Sequence, residues 1–145
     1  MHITRYTDYS LRVLMYLAVK GDELSTIQDI ADSYAISKNH LMKIVQELSA
    51  KNYLLAIRGK NGGLKLNTNP KEINVGALVR DLEKEQSIVE CFGQGNSCVI
   101  TPSCQLKSIF HEALETFFKS LDKYSLADLI PANNQHKLRE ILNIK

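Results

Sequence analysis

At 145 residues the chain has room for one domain with a proper core, or for a small domain with an added association arm. Hydrophobic residues at 44% and charged residues at 23% are ordinary for a globular protein, and no apolar run reaches the ~18–20 residues that would span a bilayer. The net charge of +2 is small but unevenly placed: between residues 34 and 65, Lys38, Lys43, Lys51, Arg58, Lys60 and Lys65 face only Glu47, whereas acids and bases nearly balance from residue 71 onward. Such a local positive field suits a nucleic-acid contact face, although a solvated helix face looks the same by charge alone.

The N-terminal residues carry no apolar signal core, so the expected compartment is the cytoplasm, where thiols stay reduced. The first helix is expected from Asp8 to Val19, with Leu11, Leu14, Met15 and Ala18 on one face and Gly21 ending it. Asp8 would sit in its first turn, where a carboxylate suits the positive end of the helix. A second helix opens at Ser25 or Thr26, with Ser25 and Gln28 spaced as a capping box and Ile27, Ile30 and Ala31 buried. The turn Tyr34-Ala-Ile-Ser37 leads to a third helix from Lys38 to about Lys51, with Leu41, Ile44, Val45 and Leu48 as its core stripe. Two short helices around a tight turn, the second opening on polar and basic residues, form a helix-turn-helix.

Next, Tyr53–Ile57 is β-prone, Arg58-Gly-Lys-Asn-Gly-Gly63 is a turn and Leu64–Leu66 returns as a strand. The product is a hairpin with a cationic tip, a wing. Asn74 caps a helix through about Glu85. After a loop, Thr101 and Pro102 mark the start of a long helix to about Tyr124. Its apolar stripe (Leu106, Ile109, Phe110, Ala113, Leu114, Phe117, Phe118, Leu121) suits a dimer interface, since palindromic DNA half-sites call for two-fold proteins. Ser125–Ile130 reads as one more short helix, and residues 131–145 are weakly patterned. The fold class is therefore mainly α with a small β-hairpin. It divides into a winged helix-turn-helix over 1–70 and, over 71–145, a cysteine loop (90–105) with an association helix.

Two places carry chemistry. On the DNA side, Ser37, Lys38, Asn39, His40 and Lys43 can reach major-groove edges or phosphates, and Asn39 is the best base reader because an amide pairs adenine bidentately. Arg58, Lys60 and Asn61 at the wing tip suit phosphates or the minor groove, while Gly59, Gly62 and Gly63 allow close backbone approach. Arg5 and Tyr6 add backbone contacts. The second place is the spacing Cys91-x6-Cys98-x5-Cys104, which holds all three cysteines of the chain. An odd number of thiols cannot all pair within one chain. The spacing departs from the paired Cys-x2-Cys of zinc ribbons and leaves a loop wide enough for a polynuclear cluster. Structural zinc and unliganded or disulfide-switching thiols remain alternatives. Three local thiols leave a fourth ligand open; Asp8, Glu90, His111 and an exogenous molecule are the candidates. His2 and His136 are scattered, and no catalytic constellation stands out, so the chain is not expected to be an enzyme.

The start Thr4-Arg-Tyr-Thr-Asp-Tyr9, the wing Arg58–Gly63 and the cysteines with Ile100-Thr-Pro-Ser-Cys104 together resemble the IscR/NsrR family of iron–sulfur winged-helix repressors, over about residues 1–130. Within it the chain is most similar to the nitric-oxide-sensing branch. The resemblance implies a homodimer on double-stranded operator DNA, whose [4Fe-4S] cluster is held by Cys91, Cys98 and Cys104 of one subunit and Asp8 of the other. The branch with a [2Fe-2S] cluster, the alternative cofactor, uses a histidine three residues after the last cysteine, where this chain has Lys107. Arg12, four residues from Asp8, is placed to pair with its carboxylate when no cluster is present. The expected function is a repressor that releases its operator on reaction with nitric oxide. An iron–sulfur-status or redox regulator, a structural-zinc DNA-binding protein and a metal-binding interaction protein are the alternatives.

Overall fold

The computed structural model describes residues 2–145. Helix α1 runs Arg5–Lys20 and starts earlier than its apolar periodicity indicates, because Thr4 is the N-cap: its hydroxyl accepts the Thr7 N–H at 3.3 Å. Asp8 therefore lies at the end of the first turn rather than at the cap. Helix α2 (Ile27–Tyr34) opens on a capping box made by Thr26 and Asp29, one residue on from the expected Ser25 and Gln28. Ser25 has a different task. Its backbone exchanges hydrogen bonds with Leu64, at 3.0 and 2.7 Å, and so ties the wing to the entry of α2.

After α2, Ala35 takes a left-handed conformation (φ 53°, ψ 44°), and the Ile36 N–H returns to the Ala31 carbonyl at 3.0 Å. This reversal sends the chain into α3 (Lys38–Ala50), whose Leu41, Ile44, Val45 and Leu48 are buried as the sequence predicts. Strands β1 (Leu54–Ile57) and β2 (Gly63–Leu66) pair antiparallel, with Leu54 opposite Leu66 and Ile57 opposite Gly63. Their tip needs glycine at two places. Gly59 has φ +108°, and a Cβ on Gly62 would stand 2.1 Å from the Ile57 carbonyl oxygen.

A 3-10 turn at Pro70–Glu72 leads to α4 (Val75–Leu82), capped by Asn74 and ending short of the expected Glu85. The next long helix, α5, runs Gln105–Leu121; Thr101 and Pro102 open only a 3-10 turn before it. A 3-10 turn at Leu126–Leu129 and helix α6 (Ala132–Ile141) complete the chain. The weak pattern of the last residues hides a firm attachment. Leu142 and Ile144 are buried in the same core as α1–α3, Ser33 donates to the Leu142 carbonyl at 2.7 Å, and Arg139 donates to the carbonyls of Val19 (2.9 Å) and Lys145 (2.7 Å).

Helix α1 is the hub of this arrangement. Val13, Leu14 and Leu17 are fully buried, and the helix packs against α3, β2, α4, α6 and the turn before α6. Its N-terminus is held by a residue far away in sequence. Glu83, the C-cap of α4, is buried and accepts from the Thr4 N–H (2.8 Å) and the Thr4 hydroxyl (2.9 Å) through one oxygen. Burial acts to raise its carboxyl, but the hydroxyl and amide donors of Thr7 and Thr4, helped by His2, outweigh burial and hold it below the ordinary carboxylate value. A carboxylate depressed on folding stabilises the fold above its unfolded value and loses that contribution as pH falls through the folded value. Urea unfolding of wild type and Glu83→Gln should thus show a wild-type advantage that is constant near neutrality and disappears on acidification below the ordinary carboxylate range. A difference independent of pH would leave Glu83 with a role in shape alone.

Candidate nucleic-acid interface and cysteine loop

The Ser37 side chain makes no capping bond, so the first-turn N–H groups of α3 keep no side-chain partner from their own cap. Lys38, Asn39 and Lys43 are exposed around that end, and His40 is half-buried. Arg58, Gly59, Lys60 and Asn61 stand exposed at the wing tip. Among the described residues Lys38, Lys43, Arg58, Lys60 and Lys65 make no ion pair, so their charge is uncommitted. Lys51 is different: its ammonium meets Asp81 at 2.6 Å, and this hydrogen bond, against slight desolvation, raises its pKa. The free field is therefore the start of α3 and the wing, with Lys51 removed from it.

Arg5 is exposed at the start of α1, whereas the Tyr6 hydroxyl is committed to the Glu47 carboxylate on α3. Burial first, and then Glu47, raises the Tyr6 phenol far above its usual value. Tyr9, also on α1, places its ring edge-on to His40, with centroids 5.2 Å apart at 62°. Both contacts run from α1 to the recognition helix, and neither leaves a local trace in the sequence.

Three thiols lie on the loop between α4 and α5, and all are free; Cys91 and Cys104 are half-buried and Cys98 is exposed. Cys91 and Cys104 line one open groove of about 1410 Å³ together with Glu90, Lys107 and His111. Cys98 and Asp8 do not line it, and among the described residues no three His, Cys, Asp or Glu side chains gather as a metal-holding group. The loop is bonded mainly to itself. Glu90 accepts from the Ser97 N–H and hydroxyl, both at 2.8 Å; Asn96 donates to Thr101 at 2.9 Å and accepts from the Cys98 N–H at 3.0 Å. Those bonds from Ser97 hold the Glu90 carboxyl below its ordinary value and occupy one of its oxygens. His111 keeps both ring nitrogens free of protein partners among the described residues and meets the Phe92 ring edge-on at 6.1 Å.

Asp8 is on a separate surface and pairs with Arg12, at 2.8 Å (Nη2 to Oδ2) and 3.2 Å (Nε to Oδ1). Its carboxylate is thus partnered from its own helix and does not line the thiol groove of its own chain. The donor chemistry still fits an iron–sulfur group, since three unpaired sulfur ligands share one loop and two already face one groove.

A buried helical trio carrying an antiparallel wing, with basic side chains uncommitted at both contact elements, defines a winged helix-turn-helix DNA-binding regulator. The profile of the Rrf2 family, described as an iron-dependent transcriptional regulator, matches residues 3–132. The chain is 48% identical to the HTH-type transcriptional regulator NsrR of Bacillus licheniformis, over 99% of this chain and 100% of that one. It is 47% identical to NsrR of Bacillus subtilis, over 100% and 99%. In solved structures it is similar to CymR (YrzC), the global cysteine regulator of B. subtilis, with TM-score 0.72 and 26% identity over 89% of this chain and 95% of that one. IscR of T. potens shares the fold, with TM-score 0.71 at 21% identity over 90% and 86%. The chain belongs to the Rrf2 family of transcriptional regulators. Its relatives are named as regulators and not as enzymes.

The two contact elements should separate in a binding assay. Lys60→Ala should weaken binding to all sequences alike and lower the salt slope by about one unit. Asn39→Ala should instead relax base preference, at about 1–3 kcal/mol on the preferred site. Equal losses on specific and random DNA for Asn39→Ala would remove it as a base reader.

Proposed function

We propose that this regulator is a homodimeric repressor that reads nitric oxide through a [4Fe-4S] cluster, working in the cytoplasm. The observation that carries the reading is the set of three free thiols on one loop beside a winged helix-turn-helix, in a chain nearly half identical to regulators named NsrR. Residues 1–70 read operator DNA, through Ser37, Lys38, Asn39, His40 and Lys43 on α3, through Arg58–Gly63 on the wing, and through Arg5 at the start of α1, while the Tyr6 hydroxyl, expected as a backbone contact, is held by Glu47. Residues 71–145 carry the cysteine loop and the surface that joins two subunits.

Support for the dimer comes from α5. Its second half packs Phe118 on Val75 and Val79 of α4, while Leu106 (53% exposed) and Ile109 (58% exposed) in its first half cover nothing. A helix that leaves large apolar side chains uncovered on one half calls for a second copy. Cys91, Cys98 and Cys104 would hold the cluster, and Asp8 from the other subunit would supply an oxygen ligand. The Asp8 position favours this: it lies away from the thiol groove of its own chain, and its exposed side chain faces outward with Arg12. When bound, the cluster would supply iron that combines with nitric oxide. Asp8 then has two competing partners, the metal site of the other subunit and Arg12 of its own helix. The exchange between them couples the sensing loop to α1, on which α3 is seated.

Lys107 in the thiol groove, where the [2Fe-2S] branch has histidine, favours the [4Fe-4S] assignment. His111 in the same groove is the alternative fourth ligand. Anaerobic purification with iron and sulfide analysis separates the cluster from structural zinc. Substituting Ala for any of Cys91, Cys98 or Cys104 should abolish cluster retention while circular dichroism stays helical. In a nitric-oxide titration followed by absorbance and DNA binding, Asp8→Ala should keep a more exchangeable cluster with weakened coupling to DNA, and Asp8→Cys a tighter and slower one, because oxygen is a weaker partner for iron than sulfur. Identical responses from wild type and both variants would move the fourth ligand to His111, Glu90 or an exogenous molecule.

A further inference from the structure

Helix α3 carries one side chain on its outer face that neither the core nor the charge pattern explains. Met42 is 49% exposed, and it packs on neither apolar cluster of the described residues. Every other large apolar side chain of α1–α3 is buried or half-buried. A single exposed methionine is ordinary on most surfaces; the neighbours make this one informative. At about 100° per residue, Met42 lies about 60° around the helix from Asn39 and about 40° from Gln46, with Lys43 on the far side of Asn39. All four are exposed, and the buried stripe of Leu41, Ile44 and Leu48 is on the opposite side of the helix. His40 stands apart from this patch, with its ring centroid 5.2 Å from that of Tyr9. The outer face of α3 thus presents two amides, one ammonium and one thioether.

We propose that Met42 is a specificity-determining residue of the DNA reader, packing its thioether arm on the C5-methyl group of a thymine in the major groove. This rests on the reading of α3 as the helix that enters the groove. The major-groove edges of the bases carry carbonyl oxygens, ring nitrogens and amino groups, and the thymine methyl is their one apolar group. An amide on Asn39 or Gln46 that pairs an adenine fixes the helix against the duplex, and Met42, one rung away, then meets a base beside that adenine. Over a thymine, two apolar groups leave water together. Over any other base, Met42 covers a polar edge and leaves a carbonyl or amino group without a partner, which costs affinity. Discrimination therefore comes from both outcomes. The side chain is unbranched, with three rotatable bonds, and can follow the methyl group without changing the register of the amides. Lys38, Lys43, Arg58 and Lys60 hold the duplex by charge, which is blind to sequence. Met42 adds no charge, so it acts on sequence alone.

The test uses the full chain purified anaerobically. The probe is the duplex that wild type enriches from a random-sequence pool, with each thymine replaced in turn by deoxyuridine, which lacks only the methyl group. For wild type, at least one thymine should show a loss of about fourfold on replacement, the ratio that corresponds to burying one methyl group. Met42→Ala and Met42→Gln should each bind thymine and deoxyuridine alike at that position. Responses at the other thymines should keep their wild-type values, and so should the salt slope, because no phosphate contact is lost. Circular dichroism and the melting profile should stay unchanged, since the side chain is outside the core. A duplex indifferent to every replacement overturns the proposal, as does a Met42→Ala chain that keeps the wild-type ratio. A Met42→Gln chain that keeps it overturns the apolar contact as the basis of reading. A pool that yields no enriched sequence overturns the reading of α3 together with the role of Met42. An enriched sequence whose preference relaxes in Asn39→Ala, but whose thymine methyl groups all prove neutral, leaves the reading of α3 standing and removes Met42 alone.

Discussion

Everything in this molecule leans on the burial of α1. Its apolar face is closed over by α3, β2, α4, α6 and the turn before α6. A helix packed on that many sides cannot shift without disturbing several interfaces, since protein interiors are close-packed and transmit displacement. The same helix carries Asp8, Tyr9 and Arg12 on the flank that core packing leaves open. The proposed ligand exchange at Asp8 would therefore act on a rigid lever and not on a loose arm. The Glu83 carboxylate fixes the near end of the lever to the stem of the cysteine loop, and the Arg139 guanidinium fixes the far end to the C-terminal segment.

Much of this was legible in the sequence, and the divisions are instructive. The helix-turn-helix and wing follow from local rules: apolar spacing through Leu41, Ile44, Val45 and Leu48, and a glycine turn that only Gly59 and Gly62 can make. Cap assignments slipped where two adjacent residues were equally able. Ser25 and Thr26 both suit an N-cap, and the tertiary bridge from Ser25 to Leu64 decides for Thr26. Periodicity places the start of α1 at Asp8 because Arg5, Tyr6 and Thr7 lack an apolar pattern. Thr7 is nonetheless fully buried, and Thr4 caps the helix with Glu83 as its partner, 79 residues away. A contact at that separation leaves no mark on local sequence, and the same holds for Arg139 to Val19, at 120 residues. The thiols were legible as a set but not as a geometry.

That last gap has a physical cause. The segment from Lys84 to Cys104 buries no side chain, and its hydrogen bonds are mostly its own, from Ser97 to Glu90 and from Asn96 to Thr101. A loop with so little core attachment has a conformation set by whatever its side chains bind, because little folding energy opposes rearrangement. Ordering by the proposed metal group would then be part of its binding free energy, as it is wherever a site is not preformed. The neighbouring helices do not share this freedom. α4 is locked to α5 by the Arg80–Asp122 pair at 2.6 Å and by Gly76, where any Cβ would strike Asp122.

A soft loop between two stiff helices is the arrangement that the proposed sensing role would need. Were the loop as firmly packed as α1, occupancy of the thiols would change nothing beyond the loop itself. Were α4 as loose as the loop, a change there would dissipate before reaching α1. The chain places the boundary at Glu83, the buried C-cap of α4 and the carboxylate that holds the start of α1. On one side of that residue the backbone is held mainly by its own loop bonds; on the other it is held by the core. Charge is divided along the same line. Acids around the reader are spent on internal partners, Glu47 on Tyr6 and Asp81 on Lys51, which leaves the cations of α3 and the wing unopposed toward DNA. The one carboxylate on the open flank of α1 that is held only by a neighbour on its own helix is Asp8, and a surface pair of that kind costs little to exchange.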